Sequence, residues 1–193
     1  MPRLSEDHAT LARDVGFSES AVQAVRDAGD GLRQLQTHAD DGALLPPAGL
    51  TIDVPQERVS RVIESLRKQL GPDYFVFRSE QQFGLAPDEV SVLKTTDQFE
   101  VLRVMGTNGW NYDLSPEAVV AQLKRWHAEY GLALRGAGFD WAEADIQRAP
   151  DDMLALAHAV YEFCPDVVDQ GTQTVEALAN EMRRTRTLYL WWD

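Results

Sequence analysis

Leu50-Thr51-Ile52-Asp53-Val54-Pro55 decides the fold. Apolar and polar residues alternate over Leu50–Val54, the signature of a half-buried strand. Pro55 then stands where a helix begins, a place at which its missing N–H costs nothing. Val59, Val62, Ile63, Leu66 and Leu70 recur on one helical face, and Gly71-Pro72 stops the helix. A strand handing over directly to an amphipathic helix makes an α+β class the expectation.

Downstream the same signals return. Tyr74-Phe75-Val76-Phe77 and Glu89-Val90-Ser91-Val92-Leu93-Lys94 read as strands. Asp97 with Glu100 predicts a capping box for a helix carrying Phe99, Leu102 and Val104-Met105 and ending at Gly106. Ser115-Pro116-Glu117 is an N-cap followed by proline, and Val119, Leu123, Trp126 and Tyr130 lie along one face before Gly131. Leu132–Arg135 and Trp141–Ile146 are expected strands around a Gly-rich turn. Pro150-Asp151-Asp152 opens a helix with Met153, Ala157, Val160 and Cys164 on its face. Val175, Leu178, Ala179 and Met182 mark another helix, and Thr187–Trp192 a last strand. The expected architecture is a mixed sheet from two helix–strand–strand–helix units, over 55–106 and 115–164, with helices packed on it. The part from Trp141 onward also reads as half of a ferredoxin-like split unit.

Upstream, residues 1–38 read as a helical arm in two pieces, broken at Gly16 and at Gly29-Asp30-Gly31. Ala39-Asp40-Asp41-Gly42 and Leu45-Pro46-Pro47 form a turn-rich linker. The expected organisation is therefore arm and linker over 1–48, packing loosely, and an α/β domain over 49–193.

The chain has 193 residues, 44% apolar and 25% charged. That is ordinary globular composition and excludes disorder along the whole chain. Lys and Arg number 18 against 31 Asp and Glu, a formal charge of −13. Such a field repels phosphate backbones and anionic lipid, so neither nucleic acid nor membrane is an expected partner. It suits a basic protein partner, and it also serves plain solubility. The short run Arg183-Arg184-Thr185-Arg186 reads as cations at a helix C-terminus. No stretch approaches the roughly 18 apolar residues of a membrane span. The first residues lack a signal-peptide pattern, and the expected location is the cytoplasm with Cys164, the sole cysteine, reduced.

Three stretches stand out as a possible working surface. Thr107-Asn108-Gly109-Trp110-Asn111-Tyr112-Asp113 is a polar loop between helices, with Asn-Gly predicting a turn of positive φ. It reads either as a cap for the Ser115 helix or as a ligand-facing loop carrying Thr107, Asn108, Asn111, Tyr112 and Asp113. Cys164-Pro165-Asp166, with Asp169-Gln170-Gly171, places Asp166 and Asp169 in a loop after a helix. Two carboxylates there suit a cation or a basic side chain, though the pattern is too sparse for a calcium loop, and no metal is expected. Trp191-Trp192-Asp193 closes the sequence. Strand alternation puts its indoles on opposite faces, one in the core, and Asp193 makes that end of the sheet negative. Cys164 sits at a helix C-terminus, where the dipole disfavours a thiolate, and reads as buried and inert. His8, His38, His127 and His158 are scattered. No phosphate loop, zinc pattern or nucleophile elbow occurs, so no catalytic residue and no cofactor is assigned.

Thr107-Asn108-Gly109-x-Asn111-Tyr112-Asp113, Cys164-Pro165-Asp166 with Gln170-Gly171, and Leu190-Trp191-Trp192-Asp193 together resemble the bacterial domain of unknown function 4253. The resemblance is closest over residues 90–193, thinner over 49–89, and does not reach the arm. It implies that the three motifs belong together and supplies no activity. Three readings follow. The chain is a non-catalytic partner-binding protein of immunity or antitoxin type. Alternatively it has a small-molecule or hydrolytic pocket of Asn111–Asp113, Asp166, Asp169, Gln170 and the Trp191 strand, with Asp166 or Asp169 as base. Or the motifs are purely structural.

Overall fold

Residues 6–37 and 43–193 are described by a computed structural model. The fold class is α+β with a mixed sheet, as expected. His38, the linker stretch Ala39–Gly42 and the N-terminal Met1–Ser5 lie outside the described residues. The chain divides into two compact units, one up to Val104 and one from Met105.

The first unit holds α1 (Glu6–Asp14), α2 (Glu19–Ala28), β1 (Asp30–Gln34), β2 (Gly49–Val54), α3 (Val59–Leu70), β3 (Phe75–Glu80), β4 (Asp88–Leu93) and α4 (Glu100–Val104). Its strands run in the order β1-β2-β4-β3, every pair antiparallel. Leu50, Ile52 and Val54 of β2 turn the same way as Val90 and Val92 of β4. They meet Val59, Val62, Ile63 and Leu66, the apolar face predicted for α3. On the other face of these strands three buried hydroxyls form a ladder: Ser91 Oγ lies 2.7 Å from both Thr51 Oγ1 and Ser79 Oγ.

Here the structure departs from the expected arm. Ala12, Phe17, Val22 and Val25 are buried in that same core, and β1 pairs with β2. Leu32 and Leu35 have helical spacing, yet they follow a glycine pair that redirects the chain. Gly29 passes so close to β2 that a Cβ would lie 2.7 Å from the Asp53 carbonyl oxygen, and Gly31 has φ +62°. The strand is then fastened by Arg33, 2.9 Å from Asp53 and 2.6 Å from Glu89. Val22→Ala is accordingly expected to cost about 2 kcal/mol, from two lost methyl groups and the cavity they leave. A urea melt showing a change below about 0.5 kcal/mol, the usual surface value, would restore the loose arm.

The expected capping box is also replaced. Asp97 Oδ1 accepts from Phe99 N at 2.9 Å, while the Glu100 carboxylate turns to Arg103 at 3.1 Å. The Asp97 N–H that a capping box would give to Glu100 goes instead to Thr95 Oγ1, at 3.1 Å.

The second unit holds a 3-10 turn (Trp110–Tyr112), α5 (Pro116–Tyr130), β5 (Leu132–Ala137), β6 (Trp141–Ile146), α6 (Met153–Phe163), a π-helical turn (Val167–Thr172), α7 (Val175–Thr185) and β7 (Thr187–Trp191). The strand order is β5-β6-β7, both pairs antiparallel. α5 and α6 begin where the sequence predicts, and Thr174 supplies a cap for α7 that the reading did not name. Ser115 Oγ accepts from Ala118 N, Asp152 Oδ1 from Ala155 N and Thr174 Oγ1 from Ala177 N, at 3.3, 3.0 and 3.1 Å. Gly131 ends α5 in the left-handed region. The basic run ends α7, with Arg186 N donating to the Met182 carbonyl at 2.9 Å. None of the described helices is long and apolar enough to cross a membrane.

Candidate functional site

Asp166 is the centre of the second unit's polar structure. It follows α6, in the turn forced by Pro165, and is only 3% exposed. Oδ1 accepts from the Tyr112 hydroxyl at 2.7 Å and from Gln170 Nε2 at 2.9 Å. Oδ2 accepts from the backbone N–H of Asp193 at 3.0 Å. One member of each sequence motif is thus joined to the next through a single carboxylate. Burial on its own pushes that carboxyl up, but the donors from Asp193, Tyr112 and Gln170 outweigh it and hold it below the usual carboxylate range. The same bond raises the Tyr112 phenol to about 12, helped by burial and by the charge of Asp166.

Neighbouring contacts extend the junction. Asn111 Nδ2 donates to the Asp193 carbonyl. Thr107 Oγ1 donates to the Gly138 carbonyl at 2.7 Å, and Asn108 N to the Phe139 carbonyl at 2.9 Å. Asn108 also closes its own turn, accepting from Trp110 N at 3.0 Å and donating to Gly106 O at 2.8 Å. Gly109 has φ −123°, so the positive φ expected of the Asn-Gly step is absent there, and Asp113 takes the left-handed conformation instead, at φ 54°. Gly109 is needed for another reason. A Cβ there would stand 2.9 Å from Cδ1 of Trp192.

Trp192 is 3% exposed and Trp191 half-buried, the alternation the strand predicts. The Trp192 ring packs edge-on against Phe163, at 5.8 Å between centroids, and Phe163 does the same against Trp126. Its N–H donates to Asp140 O at 2.9 Å and its indole to Phe163 O at 3.4 Å. Cys164 is enclosed beside it. The thiol donates to Trp191 O at 3.0 Å and accepts from Trp191 N at 3.2 Å. Burial pushes this thiol up to about 12. His127 is engaged elsewhere, its Nδ1 2.7 Å from Leu132 O. We therefore expect Ellman's reagent to label Cys164 only as fast as the native chain unfolds, and at once in denaturant. Rapid labelling of the native chain at pH 8 would contradict this placement.

The structure brings together Asn111, Tyr112, Asp166, Gln170, Trp192 and Asp193, with Thr107 and Asn108 alongside. It separates Asp169 from Asp166. The segment expected as a loop is a π-helical turn, and it points Asp166 inward while Asp169 stays exposed and accepts from Tyr161 at 3.0 Å. Among the described residues, no group of three or more His, Cys, Asp or Glu is arranged to hold a metal ion.

Two residues of this region escape the sequence reading. Trp110 is 71% exposed and Phe139 60%, on backbones joined through Asn108. Each is an aromatic in a connecting turn rich in Gly, Asn or Asp, and such turns run over the surface. That was the available signal.

The model of the domain of unknown function DUF4253 matches residues 89–193. The chain belongs to the DUF4253 family. The DUF4253 match covers more than half of the chain and takes in the whole second unit and every contact of Asp166 described above. No curated protein and no solved structure matches the chain.

Proposed function

We propose that this DUF4253 protein is a non-catalytic factor that binds a protein partner, of immunity or antitoxin type, in the cytoplasm. The observation that carries the reading is the contrast at one end of the second unit. The polar motif residues are satisfied by one another, while Trp110 and Phe139 stand in solvent. A general base needs an open path to the proton it takes. Asp166 is enclosed by three donors and is unsuited to that task, and the Cys164 thiol is unsuited to nucleophilic attack. Exposed aromatics held by a rigid support are what an interface anchor requires. The net charge of −13 favours a basic partner and disfavours nucleic acid and membrane.

Affinity capture from the producing organism at physiological salt tests the reading, with Trp110→Ser/Phe139→Ser as the comparison. The expected result is a partner retained by the native chain and depleted about tenfold by the double variant. Identical protein profiles from both chains would overturn it.

A further inference from the structure

The chemistry around Trp110 and Phe139 names the group that this face receives. Segments 106–114, 138–141 and 190–193 are tied to one another by Asn108 N to Phe139 O, Trp192 N to Asp140 O, and Asn111 to Asp193 O. Between them they contain Asp113, Asp140 and Asp193, all exposed, and not one Lys, Arg or His. Two exposed aromatic rings and three exposed carboxylates thus share tied segments that carry no cation.

We infer that this face docks an arginine-bearing segment of a partner protein, with a guanidinium over the Trp110 or Phe139 ring and its N–H groups directed to Asp113, Asp140 or Asp193. This rests on the partner-binding reading above and adds the chemistry of the contact. A guanidinium is planar and weakly hydrated, so it stacks on an indole face while keeping its in-plane N–H donors for carboxylates. An ammonium has the charge without the plane, so lysine is bound less well. The overall negative field steers such a segment toward the protein, and the aromatic pair decides where it settles.

The test is an amide and indole NMR titration of the full chain with the blocked peptide acetyl-Gly-Arg-Gly-Arg-Gly-amide, and with its Lys and Glu counterparts. The expected shifts centre on the Trp110 indole N–H and on residues 108–113 and 138–141. Arginine should bind about threefold or more tighter than lysine, and the Glu peptide should not bind. Trp110→Ser, which leaves the net charge unchanged, should weaken arginine binding about fivefold. Glu176→Gln/Glu181→Gln on α7, which removes two charges elsewhere, should change it by less than about twofold. Shifts spread over all acidic residues, equal binding by Trp110→Ser, or no binding of the arginine peptide at millimolar concentration would each overturn the inference. If that happens while the double serine variant still loses the captured partner, the partner reading stands and only the arginine chemistry falls.

Discussion

Trp192→Ala is expected to destabilise the protein by about 4 kcal/mol, within the range for deleting a buried Trp or Phe. The ring is enclosed by Phe163 on one side and by the bare backbone of Gly109 on another, so little can collapse into the space it leaves. The midpoint of thermal unfolding should fall by about 8–16 °C for a chain of this size. Trp191→Ala is the comparison. That side chain is half-buried and its backbone contacts with Cys164 survive the substitution, so a loss of about 1 kcal/mol is expected. Urea melts giving the two variants equal losses would mean that the last strand is not seated as described.

Asp166→Ala is expected to cost about 3 kcal/mol, because it leaves the Asp193 N–H, the Tyr112 hydroxyl and the Gln170 amide without their acceptor. Asp166→Asn should cost less, since its carbonyl oxygen still accepts and the Tyr112 hydroxyl can turn to receive an amide hydrogen. The pH dependence has a definite sign. The folded carboxyl lies below its unfolded value, which is about 3.9, so its contribution is complete above that pH and is lost as pH falls through the folded value. The stability difference between native chain and Asp166→Asn should be flat above about pH 5 and shrink below about pH 4. A difference that grows on acidification would mean that the folded carboxyl lies above its unfolded value, not below it.

Much of the fold is legible in the sequence because the deciding signals are local. The alternation of Leu50–Val54, the periodic face of Val59–Leu66, and the helix starts at Ser115 and Asp152 each depend on residues a few positions apart. The inward position of Trp192 follows from strand alternation alone. What is not legible depends on distant partners. Asp166 reads as a loop carboxylate that shares a cation or a basic side chain with Asp169; it is buried apart from Asp169 because Tyr112, 54 residues away, and Asp193, 27 residues away, bring it donors. Leu32 and Leu35 carry helical spacing, and only the edge of β2 makes Leu32 strand and holds Leu35 N to the Gly49 carbonyl. Gly109 looks like a turn glycine and is a contact glycine, a distinction made by a ring 83 positions later. Trp110 has a local signal of exposure in its turn, but its company with Phe139, 29 residues later, depends on the Asn108 N to Phe139 O bond and is not legible.

The account stands on the meeting of three remote segments at one carboxylate. A double-mutant cycle with Tyr112→Phe and Asp166→Ala, read by urea unfolding at pH 7, tests that meeting directly. The account predicts single losses that fail to add, with a coupling of about 1–2 kcal/mol, inside the range of about 0.5–3 kcal/mol for residues in one hydrogen-bond network. Losses that sum to the double-variant value within about 0.3 kcal/mol would show that Tyr112 and Asp166 do not meet.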